Sequence, residues 1–222
     1  MKRASPAITD EALANSIADG ATALDVPLRS AQVQAFDDYL RTVERWNATY
    51  NLTAVRDPAA MVAQHLLDCL AAAAALARRR EASDRRRILD VGSGAGLPGL
   101  VLAVVYPESE IFCVDSVGKK TAFITQAAGV LRARNVVVLQ SRVESLSSPQ
   151  CDVITSRAFA PLSDFVRLTR HLLAENGEWM AMKSREAEAE AALLRDVDAL
   201  IEPLAVPGLG AARCIVWMKA RA

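Results

Sequence analysis

A glycine-rich turn near the middle of the chain limits the possible folds more than any other segment. It has the sequence DVGSGAGLPG over residues 90–99, directly after the apolar run at 88–89 and directly before a helix-like stretch at 98–106. Glycines permit a sharp turn and let a ligand approach the backbone, and the free amides at a helix start form a partly positive pole. This order predicts a strand, a ligand-binding turn and a helix, the first unit of an α/β sheet.

The segments that follow repeat the alternation of strand and helix. Short runs rich in β-branched residues are typical of buried parallel strands, and the longer runs between them predict helices. The predicted strands are 88–91, 111–114, 136–139 and 153–154, and the predicted helices are 98–106, 119–131 and 162–173. Further strands are expected at 178–182 and 214–218, around a charged helix near 186–200. The pattern predicts a doubly wound, Rossmann-like α/β sheet.

The part of the chain before this sheet is predicted to be helical. Apolar residues recur every three or four positions after Ser30, which can cap a first helix. A second helix is expected to begin at Asp57-Pro58, because a carboxylate followed by proline is a typical helix start. A chain of 222 residues buries one sizeable core. We therefore divide it into a helical N-terminal extension, residues 1–80, and a catalytic α/β domain, residues 81–222.

Charge, apolar runs and cysteine spacing exclude several classes of protein. The net charge of zero argues against a protein that coats nucleic acid non-specifically, but it allows a specific RNA enzyme. The longest apolar run, 66–77, contains Asp68 and is shorter than the roughly 20 residues of a membrane span. Since the N-terminus also lacks an apolar signal core, we expect a cytoplasmic protein without membrane contact. The cysteines lack the close pairs of metal sites and are predicted to be buried thiols: Cys69, Cys113, Cys151 and Cys214.

The glycine pattern alone fits two kinds of cofactor. Gly94-x-Gly96-x-x-Gly99 matches the dinucleotide fingerprint, and Asp115 stands at the end of the next strand, where a ribose-binding carboxylate is expected. Asp90 favours S-adenosylmethionine, because a carboxylate two residues before the first glycine suits a cationic amino-acid ligand and repels a pyrophosphate. The alternative, that Asp90 only caps the loop, stays open.

Two further positions are candidates for binding the adenosine part of that cofactor. Asp115 can accept hydrogen bonds from both ribose hydroxyls, or it caps the helix that begins near Gly118. The backbone of Val143 and the carboxylate of Glu144 follow the third strand, where such folds hold the adenine. An ordinary solvated turn is the alternative there.

Several separated segments together resemble the 16S ribosomal RNA guanine-N7 methyltransferase family, also called glucose-inhibited division protein B. They run in family order across about residues 30–185. The segments are YNLTAVRD (50–57), HLLD (65–68), DVGSGAGLPG (90–99), DSVGKK (115–120), QSRVE (140–144) and SRAFA (156–160). The joint match is more specific than any glycine loop.

The resemblance implies a class I methyltransferase fold with a helical extension, and S-adenosylmethionine as cofactor. It also implies the methyl acceptor, a single guanosine in the 530 loop of 16S ribosomal RNA, as free RNA or in the small ribosomal subunit. The implied cofactor contacts are Gly92, Leu97, Val143, Glu144 and Arg157. With the residues argued above, the predicted cofactor site comprises Asp90, Gly92, Gly94, Gly96, Leu97, Asp115, Val143, Glu144 and Arg157.

The chemistry of such a transfer predicts catalysis by positioning. Guanine N7 carries a free lone pair and the cofactor sulfonium is a strong electrophile, so we expect no general base and no metal. Holding the reacting atoms in line then supplies most of the acceleration. Asp90 and Glu144 are candidates for stabilising the moving positive charge. Arg157 is a candidate clamp for a carboxylate or phosphate, with a surface ion pair as the alternative.

The predicted substrate contacts are polar or cationic residues in and beside the family-like segments. His65 and Asp68 share a helical face and can orient each other, or they pin the extension to the sheet. The arginines between 78 and 87, with Arg134, are further candidates, although such runs are often solvated faces. The main candidates are Asn51, Arg56, His65, Lys119, Lys120 and Arg132.

Three other functions stay open on the residues alone. One is a methyltransferase acting on a protein or small molecule, and another is a nicotinamide-dependent oxidoreductase, which Asp90 disfavours. The third is a non-catalytic RNA-binding assembly factor. We expect the protein to act as a monomer.

Overall fold

A seven-stranded sheet forms the centre of the protein in this computed structural model, which describes residues 10–79, 86–184 and 186–221. The strands are β1 (Arg87–Val91), β2 (Glu110–Asp115), β3 (Val136–Gln140), β4 (Cys151–Arg157), β5 (Leu173–Lys183), β6 (Val197–Leu204) and β7 (Arg213–Ala220). Their order across the sheet is β3-β2-β1-β4-β5-β7-β6. The first five strands are parallel, and β7 is antiparallel to both of its neighbours. The predicted doubly wound sheet is confirmed.

The strand order reverses beside β1. The chain moves outward from β1 through β2 to β3 and then returns to place β4 on the other side of β1. In open α/β sheets, ligands bind outside the carboxyl ends of the strands at such a switch point. Asp90, Asp115, Arg157 and Lys183 stand at or beside the carboxyl ends of β1, β2, β4 and β5.

Helices cover both faces of the sheet. They are α1 (Asp10–Ala23), α2 (Ser30–Tyr50), α3 (Pro58–Met61), α4 (Asp68–Ala77), α5 (Gly99–Val105), α6 (Gly118–Val130), α7 (Leu162–Thr169) and α8 (Ala187–Ala191). A π-helical turn, Val62–Leu67, joins α3 to α4. Helices α1, α2, α4, α5 and α6 share one hydrophobic cluster with Ile88 and Val153, whereas α7 and α8 pack with Leu89 and Ile154. The N-terminal helices therefore pack on one face of the sheet, and the predicted boundary at residues 80 and 81 lies outside the described residues.

The predicted charged helix near 186–200 is wrong over its second half. Only Ala187–Ala191 is helical, and Val197–Leu204 forms the edge strand β6, paired with β7 along its whole length. Pairing with a long neighbouring strand outweighs the local propensity of a mixed polar segment. At the N-terminal side, Ser30 is the first residue of α2 rather than its cap, which is Arg29.

The helical run Pro58–Ala77 is 20 residues long, and its most apolar stretch of 18 residues has a mean hydropathy of 1.6. By length and composition this helical run is apolar enough to cross a membrane, although Gln64, His65 and Asp68 interrupt its apolar residues. In the protein, 83% of this 18-residue stretch is buried. Asp57 begins the run as predicted, because its Oδ2 accepts a hydrogen bond of 2.8 Å from the amide of Ala60.

The arginine run lies at the amino edge of the sheet, opposite the carboxyl ends of the parallel strands. Arg79 and Arg86 pair with the buried carboxylate of Glu178 at 2.9 and 3.6 Å. Arg78 pairs with Glu202, and Arg87 lies 3.4 Å from Glu110. Arg80 and Arg85 lie outside the described residues. The described members of the run thus hold α4 and the start of β1 to neighbouring strands.

Candidate active site

Main-chain hydrogen bonds fix the glycine-rich turn to the end of β2. The amides of Gly92 and Ser93 both donate to the main-chain oxygen of Val114, at 2.9 and 3.1 Å. Gly92 has a φ of +68°, and a Cβ atom there would lie 2.7 Å from the ring of Phe159. Conformation and space both favour glycine at this position, so the backbone of the turn stays open to a ligand.

Asp90 is a fully buried carboxylate beneath this turn. Its Oδ2 accepts a hydrogen bond of 3.0 Å from the amide of Gly99, where an added Cβ would lie only 2.9 Å from the same oxygen. No described residue donates a hydrogen bond to Oδ1, and burial raises the pKa of Asp90 to about 7. Asp90 therefore caps the loop with one oxygen and leaves the other without a donor among the described residues. A cationic donor at that oxygen would stabilise the ionised form.

Asp115 holds the glycine turn and the start of α6. Its Oδ2 accepts a hydrogen bond of 3.1 Å from the amide of Gly94 and lies 3.5 Å from Nζ of Lys120. Its Oδ1 accepts a hydrogen bond of 2.9 Å from the amide of Val117, the cap of α6. The capping role is thus observed. Each carboxylate oxygen has two lone pairs, so ribose binding by Asp115 stays a prediction.

Two cavities open at the carboxyl edge of the sheet, and Gly92, Lys120 and Ala158 line both of them. The large cleft has a volume of about 590 Å³, and the small cavity has a volume of about 450 Å³. An elongated ligand can therefore extend from one to the other past Gly92. Predicted residues in the large cleft are His65, Gly94, Leu97 and Arg157. Those in the small cavity are Asp115, Val143 and Glu144.

Arg157 connects the end of β4 to the π-helical turn. Its Nη1 donates a hydrogen bond of 2.9 Å to the main-chain oxygen of Gln64 and lies 3.6 Å from Oδ2 of Asp68. Nε of Arg213, at the start of β7, lies 3.2 Å from the other oxygen of Asp68. Burial raises the pKa of Asp68, against the effect of the two guanidinium groups. Two cations beside one carboxylate make this wall of the cleft suited to a carboxylate or phosphate ligand.

His65 lies in the large cleft as a neutral side chain. Its Nε2 is 2.8 Å from Oγ1 of Thr53, and burial, assisted by nearby Arg157, lowers the pKa of His65 to about 4. The described contacts do not pair His65 with Asp68, because His65 contacts Thr53 while Asp68 contacts two arginines. The contacts of Asp68 pin the helical extension to β4 and β7, which was the alternative to a role in substrate binding, whereas the contact of His65 stays within the extension.

Three other predicted substrate residues surround the C-terminal end of α2. Asn51 ends α2 in a left-handed conformation, and its Oδ1 accepts a hydrogen bond of 3.4 Å from Arg56. Nζ of Lys119 lies 3.5 Å from the main-chain oxygen of Tyr50. Because the adjacent Leu52 lines the large cleft, these residues stand at its rim.

Arg132, another predicted substrate residue, lies far from the rim of the large cleft. It lies between α6 and β3, at the amino edge of the sheet, and lines a separate cavity with Arg29 and Arg134. The sequence prediction selected Arg132 by charge and did not use its position before a parallel strand, which places a residue at the edge opposite the site.

Three residues of the site were missed by the sequence analysis. The hydroxyl of Tyr39, in α2, donates a hydrogen bond of 2.7 Å to the main-chain oxygen of Ala95 in the glycine turn. Lys183 ends β5 in the large cleft and pairs with Glu190 at 2.7 Å, and Arg213 pairs with Asp68. Lys183 could have been predicted, because it stands at the end of a parallel strand. Tyr39 could not, because its spacing in α2 is that of an ordinary core residue.

The cysteines are free and buried, as predicted. Within the described ranges 10–79, 86–184 and 186–221, no group of three or more His, Cys, Asp or Glu side chains has the arrangement of a metal site.

Known proteins match nearly the whole chain. The family model described as GidB, rRNA small subunit methyltransferase G, matches residues 32–214. The chain belongs to this family. The ribosomal RNA small subunit methyltransferase G of Methylibium petroleiphilum is 51% identical over 210 residues, covering 94% of this chain and 95% of the relative. The protein of the same name from Leptothrix cholodnii is 51% identical over 204 residues, covering 91% and 93%. The resemblance stated from the motifs is confirmed.

Solved structures with low sequence identity share the fold. A SAM-dependent methyltransferase from Aquifex aeolicus has a TM-score of 0.54 and 14% identity, covering 72% of this chain and 92% of that chain. A ribosomal protein L11 methylase from Lactobacillus delbrueckii subsp. bulgaricus has a TM-score of 0.53 and 13% identity, covering 70% and 77%. These likenesses concern the fold alone and confirm the class I methyltransferase architecture.

As a member of the methyltransferase G family, the chain is a methyltransferase whose cofactor is S-adenosylmethionine. The residues of the cleft fit this group. Arg157 lines the cleft and can take a carboxylate. Asp90 lines neither cavity; it is buried beneath the turn, and its Oδ1 accepts no hydrogen bond from the described residues, so it can accept one from a cationic amino group. The small cavity joins the large cleft at Gly92 and offers Glu144 to the adenosine part.

Proposed function

We propose that this protein methylates N7 of a single guanosine in the 530 loop of 16S ribosomal RNA. The observation that carries the proposal is membership of the rRNA small subunit methyltransferase G family over most of the chain, together with a cleft that fits the cofactor. The protein acts as a monomer in the cytoplasm, and its partner is the RNA itself or the small ribosomal subunit.

The chain's residues act by binding and orientation. S-adenosylmethionine supplies an electrophilic methyl group, and guanine N7 supplies its own lone pair, so no side chain has to remove a proton. Asp90 binds the amino group, Arg157 binds the carboxylate, and Val143 and Glu144 hold the adenine. Fixing two reactants in line supplies about 7–11 kcal/mol, and the buried carboxylate of Asp90 adds a fixed negative charge nearby.

The target guanosine has to be unpaired or displaced from its stack. N7 faces the major groove, which in paired RNA is too deep and narrow for side chains. The rim of the large cleft carries Asn51, Arg56 and Lys119, and its walls carry His65 and Lys120. These residues are our candidates for RNA contacts. Neutral His65 can accept or donate a hydrogen bond to a base without repelling a cationic methylated ring.

The deciding experiment is transfer of labelled methyl from S-adenosylmethionine to small ribosomal subunits from cells that lack this modification. We expect one labelled nucleotide, a guanine modified at N7 in the 530 loop, mapped by primer extension after cleavage at the modified base. Label on another nucleotide would overturn the assignment of the target. Cofactor binding without transfer to RNA would favour an acceptor of another class, for which the same assay with purified proteins and metabolites serves as the comparison.

A further inference from the structure

A large aromatic side chain is exposed just outside the large cleft. Tyr50, the last residue of α2, is 42% exposed, and Leu52 two residues later lines the cleft. The ring of Tyr50 lies 5.1 Å from that of Trp46, at an interplanar angle of 39°. Two residues of α6 hold Trp46 in place. Trp46 packs edge-on against Phe123 at 5.5 Å, and its Nε1 donates a hydrogen bond of 3.1 Å to Gln126. Trp46 therefore supports one side of the Tyr50 ring, and Tyr50 as a whole is exposed to solvent.

A cation lies beside the main chain of Tyr50. Nζ of Lys119, at the start of α6, lies 3.5 Å from the main-chain oxygen of Tyr50. Among the residues that the structure describes, no carboxylate forms an ion pair with Lys119, whereas the neighbouring Lys120 is paired with Asp115. The charge of Lys119 is therefore available to a ligand at the rim of the cleft.

We infer that Tyr50 and Lys119 bind an unpaired nucleotide adjacent to the target guanosine. The base stacks on the Tyr50 ring, and its phosphate pairs with the Lys119 ammonium group. Proteins bind unpaired RNA by stacking bases on aromatic rings and by placing cations at the backbone, and every base has a face that can stack. The site therefore holds the displaced strand next to the cleft without reading its sequence. This inference rests on the proposed function, because it requires an RNA substrate.

The stacking part is tested with substitutions of Tyr50. Stacking on an aromatic ring contributes to the affinity for unpaired RNA. Tyr50→Leu, which keeps apolar contact with Trp46 but removes the aromatic face, should therefore raise the KM for small ribosomal subunits about tenfold. Tyr50→Phe should keep the KM of the natural protein. The kcat at saturating subunits, the Kd for S-adenosylmethionine and the Tm should stay the same in both variants. Leu200→Ala, at an exposed apolar residue on the far edge strand β6, is the matched control.

The phosphate part is tested with Lys119→Gln. Removal of one contact to single-stranded phosphate should make the slope of log KM against log salt less steep by about 0.7. Tyr50→Leu should leave that slope unchanged, because stacking releases no counterions.

Two results overturn the inference. One is a KM for Tyr50→Leu within twofold of the natural protein, and the other is a rise in KM matched by a fall in Tm or in cofactor affinity, which is what a purely structural role gives. In either case methyl transfer by the natural protein still stands, so the proposed function survives. If the natural protein itself transfers no methyl group to small subunits, the proposed function and the inference about Tyr50 and Lys119 both fail.

Discussion

The proposed contact of Asp90 with the cofactor predicts that cofactor binding depends on pH. Burial raises its pKa to about 7 in the ligand-free protein, so a large share of the molecules is protonated at neutral pH. A cationic amino group binds the ionised carboxylate, and the affinity for S-adenosylmethionine should therefore rise between about pH 6 and pH 8 and then level off. Titration calorimetry across this range measures the effect. Asp90→Asn should weaken binding at pH 8 by about tenfold or more and remove the rise; a rise that persists in this variant would assign the titration to another group.

The same raised pKa should make the stability of the ligand-free protein fall with rising pH, whereas the cofactor affinity should rise. The pKa of Asp90 in the folded state is about 7, above its ordinary value of 3.8, so the folded state holds the proton between about pH 4 and pH 7. Stability should therefore fall as pH rises through this window. Asp90→Asn avoids the cost of an ionised buried carboxylate and should raise the Tm at pH 8 while weakening cofactor binding. A lower Tm for this variant at pH 8 would contradict the assignment.

Arg157 has both a partner in the protein and a proposed ligand, and a double-mutant cycle separates the two. Asp68 is 3% exposed, so Arg157→Gln leaves a buried carboxylate whose remaining cationic partner, among the described residues, is Arg213. We expect this variant to lose about 1–3 kcal/mol of unfolding free energy, and the addition of Asp68→Asn to restore part of it. The double variant should still bind S-adenosylmethionine weakly. Recovery of both stability and cofactor affinity would mean that Arg157 acts only as a structural ion pair.

The residues that sequence reasoning found and missed differ in how local their roles are. Asp90 and Gly92 lie within one strand and turn, so their spacing alone predicted their position beside each other. Tyr39 donates a hydrogen bond to Ala95, which lies 56 positions later in the sequence. Arg213 and Asp68 meet only because β7 inserts beside β5. Contacts of this kind depend on the folded topology and leave no local pattern.

At the scale of elements, α2 acts as a support for the glycine turn. The hydroxyl of Tyr39 is buried and donates to the main-chain oxygen of Ala95, which has no other hydrogen bond described. Tyr39→Phe should lower the unfolding free energy by about 1–3 kcal/mol and weaken cofactor binding several-fold, because the turn loses its anchor. Tyr106→Phe is the control, since it also removes a hydroxyl bonded to a main-chain oxygen, that of Ala73, away from the turn. This control should lose stability but keep the Kd for the cofactor; equal losses of affinity in both variants would contradict a local role for α2.

The elements also show where sequence patterns stop being informative. Apolar β-branched runs predicted β1 to β4 because both faces of a central parallel strand are covered, and the pattern is then strong. The edge strand β6 is mostly exposed, and its segment carries charges that fit a helix equally well. The π-helical turn at Val62–Leu67 has no signal in the spacing of apolar residues, since both its flanks are helical. It places the main-chain oxygen of Gln64 against Arg157.

For the whole molecule, the absence of net charge limits how RNA can be bound. Lysine and arginine number 26 and so do aspartate and glutamate. Long-range attraction of RNA by the molecule as a whole is therefore weak, and affinity has to come from cations gathered at the cleft. The division into a helical extension and a catalytic domain stays a prediction, although α1, α2 and α4 share a hydrophobic cluster with one face of the sheet.

The salt dependence of RNA binding measures how far the RNA extends over the molecule. Arg56, Lys119 and Lys120 can supply roughly three phosphate contacts at the carboxyl edge, so log Kd for small subunits should change with log salt with a slope of roughly 2–3. Arg132→Gln, at the amino edge, should leave the slope unchanged, as should Arg170→Gln, an exposed arginine that precedes β5 at the same edge. A fall of about 0.7 for Arg132→Gln but not for Arg170→Gln would mean that the RNA passes along α6 to the opposite edge. An α6 of 13 residues spans about 20 Å, so the RNA would then cover the full height of the sheet rather than its carboxyl edge alone.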